Sequence, residues 1–454
     1  AYLNVPDMRL RSAVIRFVSK ADDQGKPEDA TSAVGAALWV RMLISSGVAV
    51  LSIVLALVFP HLFKIPADLQ RAAQITVLMC ALGVAFTLVS GVFGAVLSAT
   101  HRFDVLSTIS ATQTVARAGG VILILLSGRG LVALAYWEVT IALLGGLATV
   151  GMALKLFPPC RVRIARPDMK VLKMIWTYSF TTFVLLFAVQ IVMNTDNLVV
   201  GAFLSVALVA FYSIGGSLMS YSSQVVTVVA ATFTPLASNM EAVGHLEGLQ
   251  KLLLRGTQGT LGIALPISVA LTLRGKTFIG LWMGPQYSQI SGTVLQILII
   301  SQFFSVANST AGSIMTAIDK HKPVAKWAVF EAVFNISLSI ALVKTIGLYG
   351  VAWGTSITMA LCHLIFWPKY VRKVLGVSIR RYLWEGWTKM TLCAIPYAAV
   401  CAVADRYWHA NNLLEFFGQI LVTLPLYAIC VILVFRGEAR SLFQKWQASR
   451  LVRA

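Results

Sequence analysis

"SKADDQGKPED" (19–29) is answered 219 positions later by "SNMEAVGHLEG" (238–248), which keeps Ser, an acid, Gly and Glu in the same columns. A second pair at the same offset, "GRGLVA" (128–133) and "GLYGVA" (347–352), keeps Gly, Val and Ala in register. Two matched connectors at one spacing predict a duplicated unit, and what is duplicated follows from the solvent the chain is built for.

Of the 454 residues, 58% are apolar and only 12% charged, about half the charged share of a soluble domain. Most of the surface is therefore not made for water. Apolar stretches long enough to cross a hydrocarbon core of roughly 30 Å recur between short basic connectors. Twelve spans are expected, near 38–62, 70–99, 104–127, 129–154, 174–201, 205–237, 252–274, 291–318, 325–347, 349–371, 387–405 and 412–436. Each must be helical, because a lone lipid-exposed strand leaves its backbone unpaired and these runs are too long for barrel strands. The longest connector on the outer side is expected at 275–290. Residues 1–18 carry Arg9, Arg11 and Arg16 and do not read as a signal peptide, so the natural N-terminus is expected to be missing.

The alternate connectors on one side hold 28 of the 37 basic residues, which makes that side cytoplasmic and puts both chain ends there, in a cytoplasmic membrane. The formal charge of +19 is scattered over seven connectors, so it serves topology and anionic headgroups, and nucleic acid is not an expected partner. The six cysteines show no metal-ligand spacing, and no cofactor or metal is expected.

An offset of 219 residues covers six helices, an even number, so the two copies keep one orientation in the membrane. That is the arrangement of parallel transporter repeats related by an axis along the membrane normal. The division expected is 1–154 as the first lobe, 155–173 as a basic linker, 174–371 as the second lobe, 372–386 as a connector, 387–436 as an additional helix pair and 437–454 as a tail.

The stretches "RSAVIRFVSKADDQG" (11–25), "NTDNLVVGAFLSVALVAFYSIGGSL" (194–218), "FTPLASNMEAVGHLEGLQKL" (233–252), "FIGLWMGPQYSQISGTVLQIL" (278–298) and "GLYGVAWGTSI" (347–357) resemble the polysaccharide-biosynthesis transporters of the multidrug, oligosaccharidyl-lipid and polysaccharide (MOP) exporter superfamily, which includes the lipid-linked oligosaccharide flippases. The resemblance spans nearly the whole chain. It implies an all-α polytopic fold of fourteen helices, in two six-helix lobes plus a final pair. Of these, about twelve are present here, and the first and most of the second are absent.

Ionisable side chains inside a span cost a few kcal/mol, so each needs a reason. Arg117 and Glu138 are both about nine or ten residues from the outer ends of adjacent antiparallel helices, hence level at a rise of about 1.5 Å per residue. They form either a structural ion pair or an anion contact, in which the Arg117 fork meets phosphate oxygens and Glu138 orients it. Asp196, beside Asn194, Thr195 and Asn197, is either a helix-end polar cluster or an ion-coupling, outer-gate residue. Glu331 and Asn335, one turn apart with Ser339 beyond, make a polar stripe that lines a cavity or bonds a neighbouring helix. Tyr212, Ser217, Tyr221 and Gln224 make the span 205–237 wet enough for close helix packing or for a sugar-accommodating wall.

No phosphate-cradling loop, metal helix or nucleophile turn occurs, which disfavours a membrane glycosyltransferase or polymerase. The expectation is a non-enzymatic flippase for a polyprenyl-diphosphate oligosaccharide, with a cation-coupled drug or metabolite exporter of the same superfamily as the alternative. Its partners would be that substrate, membrane lipids and, as an open case, other proteins of polysaccharide assembly. A monomer suffices mechanically.

Overall fold

The computed structural model describes residues 14–15, 18–19, 27–63, 65–157, 190–191 and 194–434, and the statements below concern these. They contain helices and no strand. In chain order the helices are α1 (Pro27–Leu62), α2 (Ala67–Ala99), α3 (Phe103–Leu126), α4 (Leu131–Leu156), α5 (194–203), α6 (Val206–Ala231), α7 (Phe233–Ala242), α8 (Leu246–Met283), α9 (Pro285–Ala307), α10 (Ser309–Ala317), α11 (Lys322–Ile346), α12 (Leu348–Leu375), α13 (Ile379–Tyr407) and α14 (Leu413–Val434). Ten stretches of these helices are long and apolar enough to span a membrane, making this a multi-pass membrane protein.

The chain divides into two compact units, Ala1–Ile191 and Val192–Ala454. The duplication is visible in their element boundaries. Helices α1, α2, α3 and α4 begin 217 to 219 positions before α8, α9, α11 and α12 respectively. The breakers match too. Pro66 precedes α2 as Pro285 opens α9, and the proline ring suits the first turn, where no backbone donor is needed. Gly128 (φ +69°) turns α3 into α4 as Gly347 (φ +61°) turns α11 into α12, which explains why glycine holds both columns of the repeated connector. Even the two left-handed non-glycines, His101 and Asp319, sit at equivalent turns. The first polar copy, 19–29, lies largely outside the described residues; its partner forms the end of α7, the turn at Gly244 and the start of α8.

In the first unit, α2 lies between α1 and α4, and its second half (Val92, Phe93, Val96, Leu97) is buried against Val34, Leu38 and Ala153. Small residues set the approach: a Cβ on Gly146 would fall 2.4 Å from the Phe86 ring, and one on Gly120 2.0 Å from the Trp137 indole. Such notches are how helices associate when lipid is as apolar as leucine.

In the second unit α9 is central, packed by α6, α8 and α12, with Val294, Leu295 and Leu298 buried. Gly215 of α6 lies so close that a Cβ would meet the Ser291 carbonyl at 2.8 Å. The additional pair α13 and α14 is held to α8 by Arg274, 1% exposed, which donates to Gln419 Oε1, stands 3.6 Å from Asp405 Oδ1 and lies over the Phe416 ring at 4.9 Å. A buried arginine in a span is tolerable only with such partners. Residues Tyr382–Thr388 within α13 form a π-helical turn.

Three expected boundaries differ, one of them the span 291–318, which breaks at Asn308 into α9 and α10. The outer connector at 275–290 is helical apart from Gly284 (φ +114°): Arg274 and Lys276 carry their charges on a continuing helix, and the Gly284–Pro285 step alone breaks it. The expected span 205–237 breaks at Thr232 into α6 and α7. The expected span 174–201 falls mostly outside the described residues.

Candidate translocation site

In the first unit the short turn after α3 makes α3 and α4 antiparallel neighbours. Arg117 Nε meets Glu138 Oε2 at 2.9 Å, so the two charges are level, as their spacing predicts. The seam around them is tightly fitted: Trp137 fills the notch at Gly120, and Gln113 fills that at Gly145 and donates to the Ile141 carbonyl at 3.1 Å. Yet both partners are 45% exposed. Ser107, Ser110, Thr114 and Arg117, at helical spacing, share one exposed face of α3, a stripe the sequence reading did not single out. The signal for it was present, since hydroxyls recurring at i, i+3 and i+7 with a charge at i+10 place one wet face on an otherwise apolar span. The duplicate does not carry the pair: Ile336 and Ile357 stand at the equivalent positions of α11 and α12.

In the second unit the structure gathers three residues that the sequence had kept separate. Buried Asp196 accepts on Oδ2 from Tyr212 Oη at 2.6 Å and from Thr355 Oγ1 at 2.8 Å. Thr355 in turn accepts from Asn335 Nδ2 at 2.9 Å. Thr355 went unnoticed because a lone threonine in an apolar helix carries no signal of its partner 159 positions away. The Oδ1 atoms of Asp196 and Asn335 are buried with no hydrogen-bond partner among the described residues. The stripe on α11 faces α12 throughout: Asn335 on Thr355, Ser339 in the notch at Gly354, and Glu331 3.5 Å from His363 Nε2.

Tyr212 is buried in this cluster, whereas Ser217, Tyr221 and Gln224 lie on the opposite face of α6, away from the unit's own core. Tyr221 is 59% exposed, and Gln224 Nε2 reaches the Ser220 hydroxyl at 3.4 Å.

This fold is that of known transporters. The chain superposes with a TM-score of 0.74 at 16% identity on a solved "Lipid II flippase MurJ, inward closed conformation", covering 96% of this chain and 92% of that one. It superposes with a TM-score of 0.72 at 14% identity on an inward-facing multidrug resistance MATE family transporter of the MOP superfamily, covering 83% and 88%. The fold is thus that of the MOP-type membrane transporters. The family model described as "Polysaccharide biosynthesis protein" matches residues 18–292, and the chain belongs to that family. Among its relatives are the "Uncharacterized membrane protein EpsK" of Bacillus subtilis, 26% identical over 84% of this chain and 76% of that protein, and the "Probable low-salt glycan biosynthesis flippase Agl15" of Haloferax volcanii, 20% identical over 72% and 68%.

Proposed function

We propose that the protein moves a polyprenyl-diphosphate-linked oligosaccharide from the cytoplasmic to the outer leaflet of the cytoplasmic membrane, by alternating access between its two lobes. A diphosphate-sugar headgroup forced through hydrocarbon would cost on the order of tens of kcal/mol. A polar path lowers that barrier while the lipid tail stays in the bilayer. The observation that carries the reading is the half-exposed Arg117, at mid-helix on a hydroxylated face and oriented by Glu138. Its planar fork keeps donors free of Glu138 and can grip phosphate oxygens bidentately. The Ser217, Tyr221 and Gln224 face of α6 is assigned to the sugar, and Asp196 to ion coupling or the outer gate. The family description and the flippase among the relatives support the substrate class. A cationic-drug exporter would need an acid open to its cargo, and Glu138 is engaged by Arg117.

The test reconstitutes the full-length protein in liposomes with a lipid-linked oligosaccharide and follows the sugar fraction open to an impermeant glycosidase. Wild type should accelerate exposure and folded Arg117→Gln should abolish it; equal rates with and without wild-type protein would sink the proposal.

A further inference from the structure

One turn below the Asp196 cluster, the seam between α11 and α12 carries a second pair that the proposed path leaves unused. Glu331 Oε1 lies 3.5 Å from His363 Nε2, and their side chains are only 11% and 12% exposed. The other ring nitrogen, Nδ1, is 3.2 Å from the Phe304 carbonyl. That oxygen is released from the helical ladder where α9 breaks: the Asn308 backbone N–H turns to Ser305, and the Asn308 amide donates to Phe304 O at 2.8 Å instead. Asn308 Oδ1 accepts from Tyr382 Oη at 3.0 Å, so the chain of contacts runs from α11 through α12 and the α9–α10 joint to the π-helical turn of α13.

The chemistry follows from donors and acceptors. Nδ1 has two neighbours, the Phe304 carbonyl at 3.2 Å, which can only accept, and the Asn308 amide nitrogen at 3.5 Å, which already donates to that carbonyl at 2.8 Å; the nearer contact favours the hydrogen of a neutral His363 ring on Nδ1, which leaves Nε2 as a bare lone pair. An ionised Glu331 also offers only lone pairs. Two acceptors facing each other in a buried seam repel, and one proton between them, on either atom, turns the contact attractive. We propose that Glu331 and His363 together form a single-proton binding site in the body of the second unit. The proton comes from water and returns to water, with no other bond made or broken. Loading closes the seam, and emptying opposes two lone pairs and favours parting α11 from α12, next to the α9–α10 joint that His363 also touches. The titratable groups facing the pair are Cys362, beside His363 on α12, and Tyr382 beyond Asn308 from α13; the α9–α10 joint contributes the Phe304 carbonyl and the Asn308 amide. Among the described residues neither member forms an ion pair with a lysine or arginine. That this proton drives transport rests on the transporter reading above; that the site exists does not.

The experiment is pH-step infrared difference spectroscopy on the full-length protein in nanodiscs, with wild type, Glu331→Gln, His363→Gln and Glu331→Asp. Wild type should show a carboxyl and an imidazole change over one pH interval; both should vanish together in either Gln variant, and both should survive in Glu331→Asp, which keeps the carboxylate if the Gln variants fold poorly. An imidazole change of His363 untouched by Glu331→Gln would overturn the shared proton. In the liposome assay, the ratio of flipping rates with and without an imposed pH gradient should be severalfold for wild type and about one for His363→Gln. Wild type that flips at one rate regardless of the gradient overturns the coupling. Wild type that shows the spectral pair and does not flip overturns the substrate proposal and upholds the proton site.

Discussion

Glu138→Gln separates two environments for the half-exposed face of α3. Gln keeps the shape of Glu138 and removes its charge, leaving Arg117 without its 2.9 Å partner. If the exposed halves of the two side chains meet water, the pair is a solvated one, contributing about 0–1 kcal/mol to stability. If they meet hydrocarbon, an uncompensated arginine at mid-span costs about 2.5–3.5 kcal/mol even on the lenient insertion scale. The hydroxyls of Ser107, Ser110 and Thr114 on the same face favour water, so the expected loss is below about 1 kcal/mol. A fall in melting temperature of at most a few degrees in nanodiscs would match it for a chain of this size. Transport should suffer far more than stability, because the guanidinium loses its orientation. The assay is thermal unfolding of wild type, Glu138→Gln, Arg117→Gln and the double variant, with the coupling taken from the cycle. A loss of about 2.5 kcal/mol or more in Glu138→Gln, recovered in the double variant, would place the pair against lipid and refute its role as a headgroup contact.

Two further perturbations test the second unit and the helix seams. Thr355→Val removes the donor to Asp196 and the acceptor of Asn335, and should cost about 2–4 kcal/mol by unfolding in nanodiscs, more than the roughly 0.6 kcal/mol of an average hydrogen bond between membrane helices; a loss at that average would mean the cluster is solvated. Gly350→Ala forces a Cβ to 2.2 Å from the Leu342 carbonyl oxygen, backbone that cannot swing aside, and should cost about 3 kcal/mol or more, whereas Gly119→Ala, with nothing within 4 Å, should stabilise by about 0.5–1 kcal/mol; equal effects would mean the approach of α11 and α12 is looser than drawn.

The sequence by itself determined the all-helical membrane fold, the approximate place of most spans, and the duplication. These are local: an apolar run of sufficient length has one hydrogen-bonding solution in lipid, and Gly128, Gly347, Pro66 and Pro285 mark where it must stop. It also determined that Arg117 and Glu138 are level, because a short turn between antiparallel helices turns residue counts directly into depth. The contacts between elements distant in the chain were decided only in three dimensions. Nothing near Asp196 names Thr355, nothing near Glu331 names His363, and Arg274 meets Gln419 145 positions away. Residues 275–290 read as a connector because charge suggests water, while Arg274, buried against Asp405 and Gln419, remains inside a helix. A single polar residue has the same sequence signature whether it faces lipid, water or a partner, and only the rotation of one packed helix against the next selects among them.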